Sequence, residues 1–441
     1  MLRKFANPAW AMLEYGSYPL LLFIATPWFL HQLGTEGYGH WMLLTATVGF
    51  GGVLNTGTGA ATIKAVSAGI GRDDGCDIEH AVRISFAIAL VGGVTLALLV
   101  FSVFWFAGPT LLSRMGDPAL IRLTGIAAAA LIWLEQVDNV FSSSIKGAEH
   151  FGQAAQIEIA SKTTQIVGAG LVLWVWPTLW ALYAALFVVA VLRLIAKTII
   201  SRQLLGLTSL RPTFTGAGAI LHLAKWGWLQ GVGGMLFGVA DRLLVGSSLG
   251  SSSLTYYSIA SQLAMQIHAI SAAALSVIFP KVSRKLEAQG HFSLWRVTKL
   301  TMAGNLLLSS VLALVLLLLG PLILRGWIGA DSAASTVKIL PWLVIAYWVL
   351  AVNVVPYYIL LGMGRMRFVG LTVLSCGIVA ITTMYFAIAR EGLIGAPAGR
   401  GIYALLSLTL VFPLARHFFL EHRTRRARQR SSLASGRGSL P

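Results

Sequence analysis

Residues 10–34, WAMLEYGSYPLLLFIATPWFLHQLG, and residues 226–250, WGWLQGVGGMLFGVADRLLVGSSLG, are two apolar stretches whose landmarks coincide at one offset of 216. Trp10-x-x-Leu13-Glu14 is echoed by Trp226-x-x-Leu229-Gln230, and Leu33-Gly34 by Leu249-Gly250. Further along, the register holds to within a few residues. Lys64 falls opposite Lys281, Trp133 opposite Trp348, Asp138 opposite Asn353 and Gly147 opposite Gly362. Gly108-Pro109 followed by Arg114 resembles Gly320-Pro321 followed by Arg325. Tryptophan supplies only 14 of 441 residues, so repeated Trp coincidences near one offset point to duplication rather than to chance matches between apolar segments.

The composition says where such segments live. The chain is 56% hydrophobic and 11% charged, with mean hydropathy +0.77, whereas soluble domains carry about 25% charge. A soluble protein is excluded. At roughly 20 residues per helical span, the apolar runs give twelve: 10–33, 39–63, 83–107, 121–145, 154–175, 178–200, 226–248, 254–279, 300–323, 337–361, 368–388 and 394–418. The first run is interrupted by Glu14, continues through Leu30 and lacks a small-residue cleavage pattern, so it reads as a transmembrane helix and not a removed signal peptide. The offset covers six helices, an even number, which gives both halves the same orientation: a parallel repeat about an axis along the membrane normal. The expected organisation is a six-helix bundle over 1–210, a second over 211–420 and a basic tail over 421–441.

The formal charge of +17 and pI near 10.3 would suggest nucleic acid in a soluble chain. Here 7 of the 33 basic residues lie between Arg416 and Arg437, and the rest alternate by side. With the N-terminus in the cytoplasm, 26 fall on that side, 6 on the other, and Arg242 lies within a span. Both termini are therefore expected in the cytoplasm, with the tail against anionic lipid and no nucleic-acid partner. Cys76 in a polar loop and Cys376 in a span differ too much in depth for a bridge, and neither belongs to a metal site. The glycines at 49, 51, 52, 57 and 59 lack a following Gly-Lys-Ser/Thr and a preceding strand, so they read as close helix packing and not as a phosphate loop.

Leu33-Gly34-Thr-Glu-Gly-Tyr38-Gly39, Asp241-Arg242-Leu-Leu-Val-Gly246 with Leu249-Gly250, Tyr256-Tyr257-Ser258-Ile259-Ala260 and Pro280-Lys281-Val-Ser283 resemble the polysaccharide transporter family of the multidrug/oligosaccharidyl-lipid/polysaccharide flippase superfamily. The resemblance runs to about residue 418. It implies an all-α polytopic protein of two six-helix bundles in a bacterial inner membrane. The implied activity is outward movement of an oligosaccharide on an undecaprenyl pyrophosphate carrier for O-antigen or exopolysaccharide assembly, beside a polysaccharide polymerase or assembly proteins. Peptidoglycan-precursor flipping is a variant within the family, and a multidrug or cation exporter is the competitor within the superfamily.

Ionisable groups at membrane depth cost at least about 2.5 kcal/mol each and mark candidate sites. Arg242 is read either as a ligand for pyrophosphate or an acidic sugar, by bidentate guanidinium contacts, or as a structural charge. Its neighbour Asp241 lies about 100° around the helix, so at least one of the two needs a partner elsewhere. Glu135 and Asp138 share a face of helix four and read as a proton or sodium coupling site or as a polar cavity lining, with Asp241 and Glu14 as further coupling candidates. Glu14 faces Gln230 in the repeat, which favours hydrogen bonding over charge. Lys64, Arg83, Lys281 and Arg284 read as a basic vestibule for the carrier headgroup or as the positive-inside bias alone. External connections of around a dozen residues leave no place for a catalytic loop, so no enzyme and no cofactor is expected.

Overall fold

The computed structural model describes residues 3–72, 74–275, 294–363 and 365–415. Lipid offers no partner to backbone N–H or C=O groups, so apolar spans close their hydrogen bonds within helices; no strand occurs among the described residues. Helical hydrogen bonding runs over Arg3–Gly71, but Gly34 (φ 68, ψ 177) turns the chain there and separates α1 (3–33) from α2 (35–71). Next, α3 (Gly75–Ser102) passes through a π-turn at Val103–Ala107 into Gly108–Leu111. Asp117 caps α4 (Pro118–Gly147), its carboxylate accepting the Ala119 N–H at 2.8 Å. The first half ends with α5 (Phe151–Val175) and α6 (Leu179–Leu205).

The second half opens with a bent rod, α7 (Ala217–Gly238) and α8 (Ala240–Leu249), broken at Val239. It continues with α9 (Ser251–Leu275) and α10 (Leu294–Ile328), then with α11 (Ala330–Val352) and α12 (Val354–Gly362), bent at Asn353. The last helices are α13 (Met366–Glu391) and α14 (Pro397–Ser407). Taken as rods these are twelve among the described residues, one on each expected span, although α7 begins nine residues earlier than expected and α14 ends at Ser407. Among the described residues, seven stretches, such as Gly75–Leu111 and Thr298–Ile328, are long and apolar enough to cross a membrane by length and composition. The outer surface is apolar: Leu307, Leu318, Leu322 and Phe412 are each about 70% exposed, a pattern that fits lipid and not water.

Small residues set the helix spacing. Gln136 of α4 donates to the Gly51 carbonyl at 2.8 Å, and a methyl group on Gly57 would overlap Trp228 and the Ala224 carbonyl of α7. Gly49, Gly51, Gly57 and Gly59 are thus packing surfaces, whereas a Cβ on Gly52 would meet nothing within 4 Å. In the second half, Asn353 donates to the Ser407 carbonyl at 2.8 Å and Trp348 to Ser310 at 3.0 Å. Contacts join the halves where α2 and α9 begin. Thr255 Oγ1 donates to the Thr35 carbonyl at 2.6 Å, the Cβ position of Gly39 is filled by the Ser251 backbone, and Trp327 stacks on Phe23 at 4.3 Å.

One part of the charge reading is corrected. Lys162, Arg193 and Lys197, which make up three of the 26 cytoplasmic-side charges, and Arg400, one of the 6 on the opposite side, lie in the helix packing in ion pairs. Each lies within ten residues of an end of its expected span, where a charge reads as a flanking one. Without these four, 23 and 5 basic residues remain on the two sides, so the bias persists.

Candidate substrate site

Four helices of the first half turn one face each toward a common cavity of about 410 Å3. On α5 the face is Glu158, Ser161, Lys162 and Gln165, a polar stripe at i, i+3, i+4 and i+7. Trp41, Thr45 and Gly49 of α2, Glu135 of α4, Ala190 and Arg193 of α6 and Arg242 of α8 complete the wall.

Beneath it lies a buried ion cluster. Lys197 Nζ stands 2.7 Å from both Asp138 Oδ2 and Glu158 Oε2. Arg193 lies 3.3 Å from Asp138, 3.5 Å from Glu158 and 3.9 Å from Glu135, and Lys162 lies 3.4 Å from Glu158. The Lys197 side chain is 1% exposed and that of Asp138 8%, whereas Glu135 is 34% exposed. Desolvated charges persist only when paired, and here two carboxylates surround one ammonium. Glu135 is the loosely held member, open to the cavity.

A second buried pair sits across the α7–α8 bend. Asp241 Oδ2 accepts from Arg400 Nη2 at 2.5 Å and Nε at 2.9 Å and from the Tyr257 hydroxyl at 2.7 Å, while Oδ1 accepts the Arg242 backbone N–H at 2.9 Å. Arg400 also lies 5.5 Å over the Tyr347 ring. Asp241 is thereby committed to α14 and α9. Its neighbour Arg242 points the other way, into the cavity, and its buried Nε has no hydrogen-bond partner among the described residues. The sequence argument that the two cannot face one another is met in this way.

The remaining candidates are scattered. Lys64 is exposed on α2. Arg83 donates through Nε to the Arg211 carbonyl at 2.7 Å, and near it Glu79 accepts the Thr208 N–H and hydroxyl at 2.7 and 2.8 Å. These bonds tie the segment joining the halves to α3. Lys281, Arg284 and the basic tail lie outside the described residues, as does the Glu14 side chain on α1. Sequence reasoning missed Glu158, Lys162, Arg193, Lys197 and Arg400 as site residues. The first four carried a signal: Glu158/Lys162 and Arg193/Lys197 are i, i+4 charge pairs inside apolar runs.

Residues 77–302 match the family described as "Polysaccharide biosynthesis protein". A Shigella flexneri protein described as "Putative O-antigen transporter" is 22% identical over 430 residues, 92% of this chain and 96% of that one. Among solved structures, an inward-facing multidrug resistance MATE family transporter of the MOP superfamily superposes with TM-score 0.75 at 14% identity, covering 92% of this chain and 95% of that one. An outward-facing transporter of the same description gives 0.64 at 13%, covering 96% and 97%. The fold is the one shared with these multi-pass structures, and the chain belongs to the polysaccharide biosynthesis protein family.

Proposed function

We propose that the protein moves an oligosaccharide linked to undecaprenyl pyrophosphate from the cytoplasmic to the periplasmic leaflet of a bacterial inner membrane, for O-antigen or exopolysaccharide assembly. The observation that carries this reading is Arg242. It is a guanidinium without an ion-pair partner among the described residues, in the wall of a cavity between the first-half helices and α8. Counted over cavity and cluster, four bases (Lys162, Arg193, Lys197, Arg242) oppose three acids (Glu135, Asp138, Glu158), so the uncompensated charge is positive and calls for an anion. The S. flexneri relative's description supports a glycan cargo.

The two six-helix halves, 1–210 and 211–420, act as the moving units of alternating access, hinged through the segment that Arg83 and Glu79 hold, with both termini in the cytoplasm. Glu135 serves as the proton or sodium coupling group, since it is the cluster carboxylate open to the cavity. A polysaccharide polymerase or assembly protein takes up the product. The chain transports without catalysing a covalent step. The same carboxylate favours one second reading, a cation or drug exporter, in which Glu135 holds the cargo.

The test is the carrier-linked oligosaccharide pool in a strain lacking the gene and in the restored strain. Accumulation of the intact carrier-linked unit with loss of surface polymer, both reversed by the wild-type gene and not by Arg242→Ala, supports the flippase. An unchanged pool with altered cationic dye accumulation supports the exporter.

A further inference from the structure

All the lining residues but Arg242 belong to the first half. At the offset of 215 that aligns α5 with α13, the stripe Glu158, Ser161, Lys162, Gln165 corresponds to Val373, Cys376, Gly377 and Ala380, and Glu135 to Leu350. Cys376, Ala380 and Leu350 are buried, and Leu236 of α7 fills the space over Gly377. The duplicate position is apolar, with Val373 half-buried. The polar stripe of α5 has no polar counterpart at these aligned positions of α13, so the wall is fitted to something that the first copy alone binds.

Resting on the flippase reading, we infer that this cavity is a saccharide subsite: it takes the sugar next to the carrier, with the adjoining anionic group held by Arg242 at its edge. The chemistry of the wall fits. Glu135 and Glu158 present carboxylate acceptors to sugar hydroxyls, Gln165 presents an amide that both donates and accepts, Ser161 and Thr45 add hydroxyls, and Trp41 supplies a ring. The volume of about 410 Å3 lies in the range of small-molecule sites, about 300–1,000 Å3, so it suits the first part of a glycan and not a whole repeat unit. An acyl chain is excluded by the charged wall, and no group of three or more His, Cys, Asp or Glu side chains among the described residues is arranged to hold a metal ion.

The test uses full-length protein in lipid nanodiscs, titrated calorimetrically with glucose 1-phosphate, glucuronate, glucose and inorganic phosphate. The sugar phosphate or the sugar acid is expected to bind at least about tenfold tighter than either glucose or phosphate. Whichever of the two is tighter identifies the anion as phosphate or carboxylate. Ser161→Leu, which fills the cavity, and Gln165→Leu, which removes the amide without changing its volume greatly, are expected to erase that advantage while leaving phosphate affinity unchanged. Arg242→Ala removes phosphate binding as well. If glucose 1-phosphate and glucuronate bind no tighter than phosphate in the wild type, or if both α5 variants keep wild-type affinities, the subsite is wrong although phosphate binding through Arg242 leaves the flippase reading standing. Sugar-phosphate binding with an unchanged carrier pool in the deletion strain retains the subsite and sinks the flippase.

Discussion

Gly34 and Gly250, 216 residues apart, hold the same backbone conformation: φ 68, ψ 177 and φ 88, ψ −179. Each turns the chain between the first two rods of its half, and this extended region at positive φ is essentially confined to glycine. A duplicated sequence thus keeps a duplicated turn. Their surroundings differ. Nothing stands within 4 Å of a Cβ at Gly34, whereas at Gly250 it would run into the Arg114 carbonyl. Gly34→Ala is expected to cost the backbone strain alone, about 1–3 kcal/mol, and Gly250→Ala clearly more. Thermal unfolding in detergent reads the difference, and equal losses would contradict the contact with Arg114.

Lys197 is the keystone of the ion cluster. Lys197→Met leaves Asp138 and Glu158 facing each other without the shared ammonium, and breaking such a buried pair costs about 3–5 kcal/mol. Adding Asp138→Asn removes one of the two carboxylates that would then share Arg193, while Glu158 keeps Arg193 and Lys162. The double variant should therefore be more stable than Lys197→Met alone. A double-mutant cycle on unfolding temperature checks the sign, and additive losses would show that the pair is not coupled.

These elements also show which parts of the molecule the sequence discloses. Hydropathy and the repeat place the rods and the turns, because a span's length and a glycine's offset survive in one dimension. The partners of charges do not. Arg193 and Arg400 read as topology signals because each lies near an expected span end in a chain rich in peripheral Lys and Arg, and only packing brings Arg400 to Asp241, 159 residues away. The α5 stripe was legible as an i, i+3, i+4, i+7 pattern, yet its four polar residues stood among enough apolar ones to pass for an ordinary span. Arg242 stands out in the sequence as a charge inside an apolar run, while its direction depends on the α7–α8 bend at Val239, which no residue pattern announces.

Glu135 and Asp138 share a helix face but not a role. Glu135 touches Arg193 only at 3.9 Å and is 34% exposed, so Glu135→Gln is expected to change stability by no more than about 0.5 kcal/mol. Its effect falls on coupling: uptake into inverted vesicles should lose its dependence on a proton or sodium gradient. Asp138→Asn should instead lower the unfolding temperature, because Lys197 loses one of its two carboxylates. Retention of full gradient dependence in Glu135→Gln would remove this residue from the coupling step.

The adjacent pair Asp241 and Arg242 separates stability from transport most sharply. Asp241→Asn leaves the buried Arg400 guanidinium without its counter-charge and weakens the bond from Tyr257, a loss of about 3–5 kcal/mol visible in unfolding. Arg242→Gln breaks no ion pair among the described residues, so stability should stay within about 0.5 kcal/mol while delivery of surface polymer falls. Arg242→Lys keeps the charge and loses the planar fork that grips phosphate or carboxylate through two parallel bonds, and should transport at an intermediate rate. The three variants are compared by unfolding temperature and by surface polymer in the restored deletion strain. Full transport by Arg242→Lys would mean that charge alone suffices at this edge of the cavity, and full transport by Arg242→Gln would mean that the cargo's anion is held elsewhere.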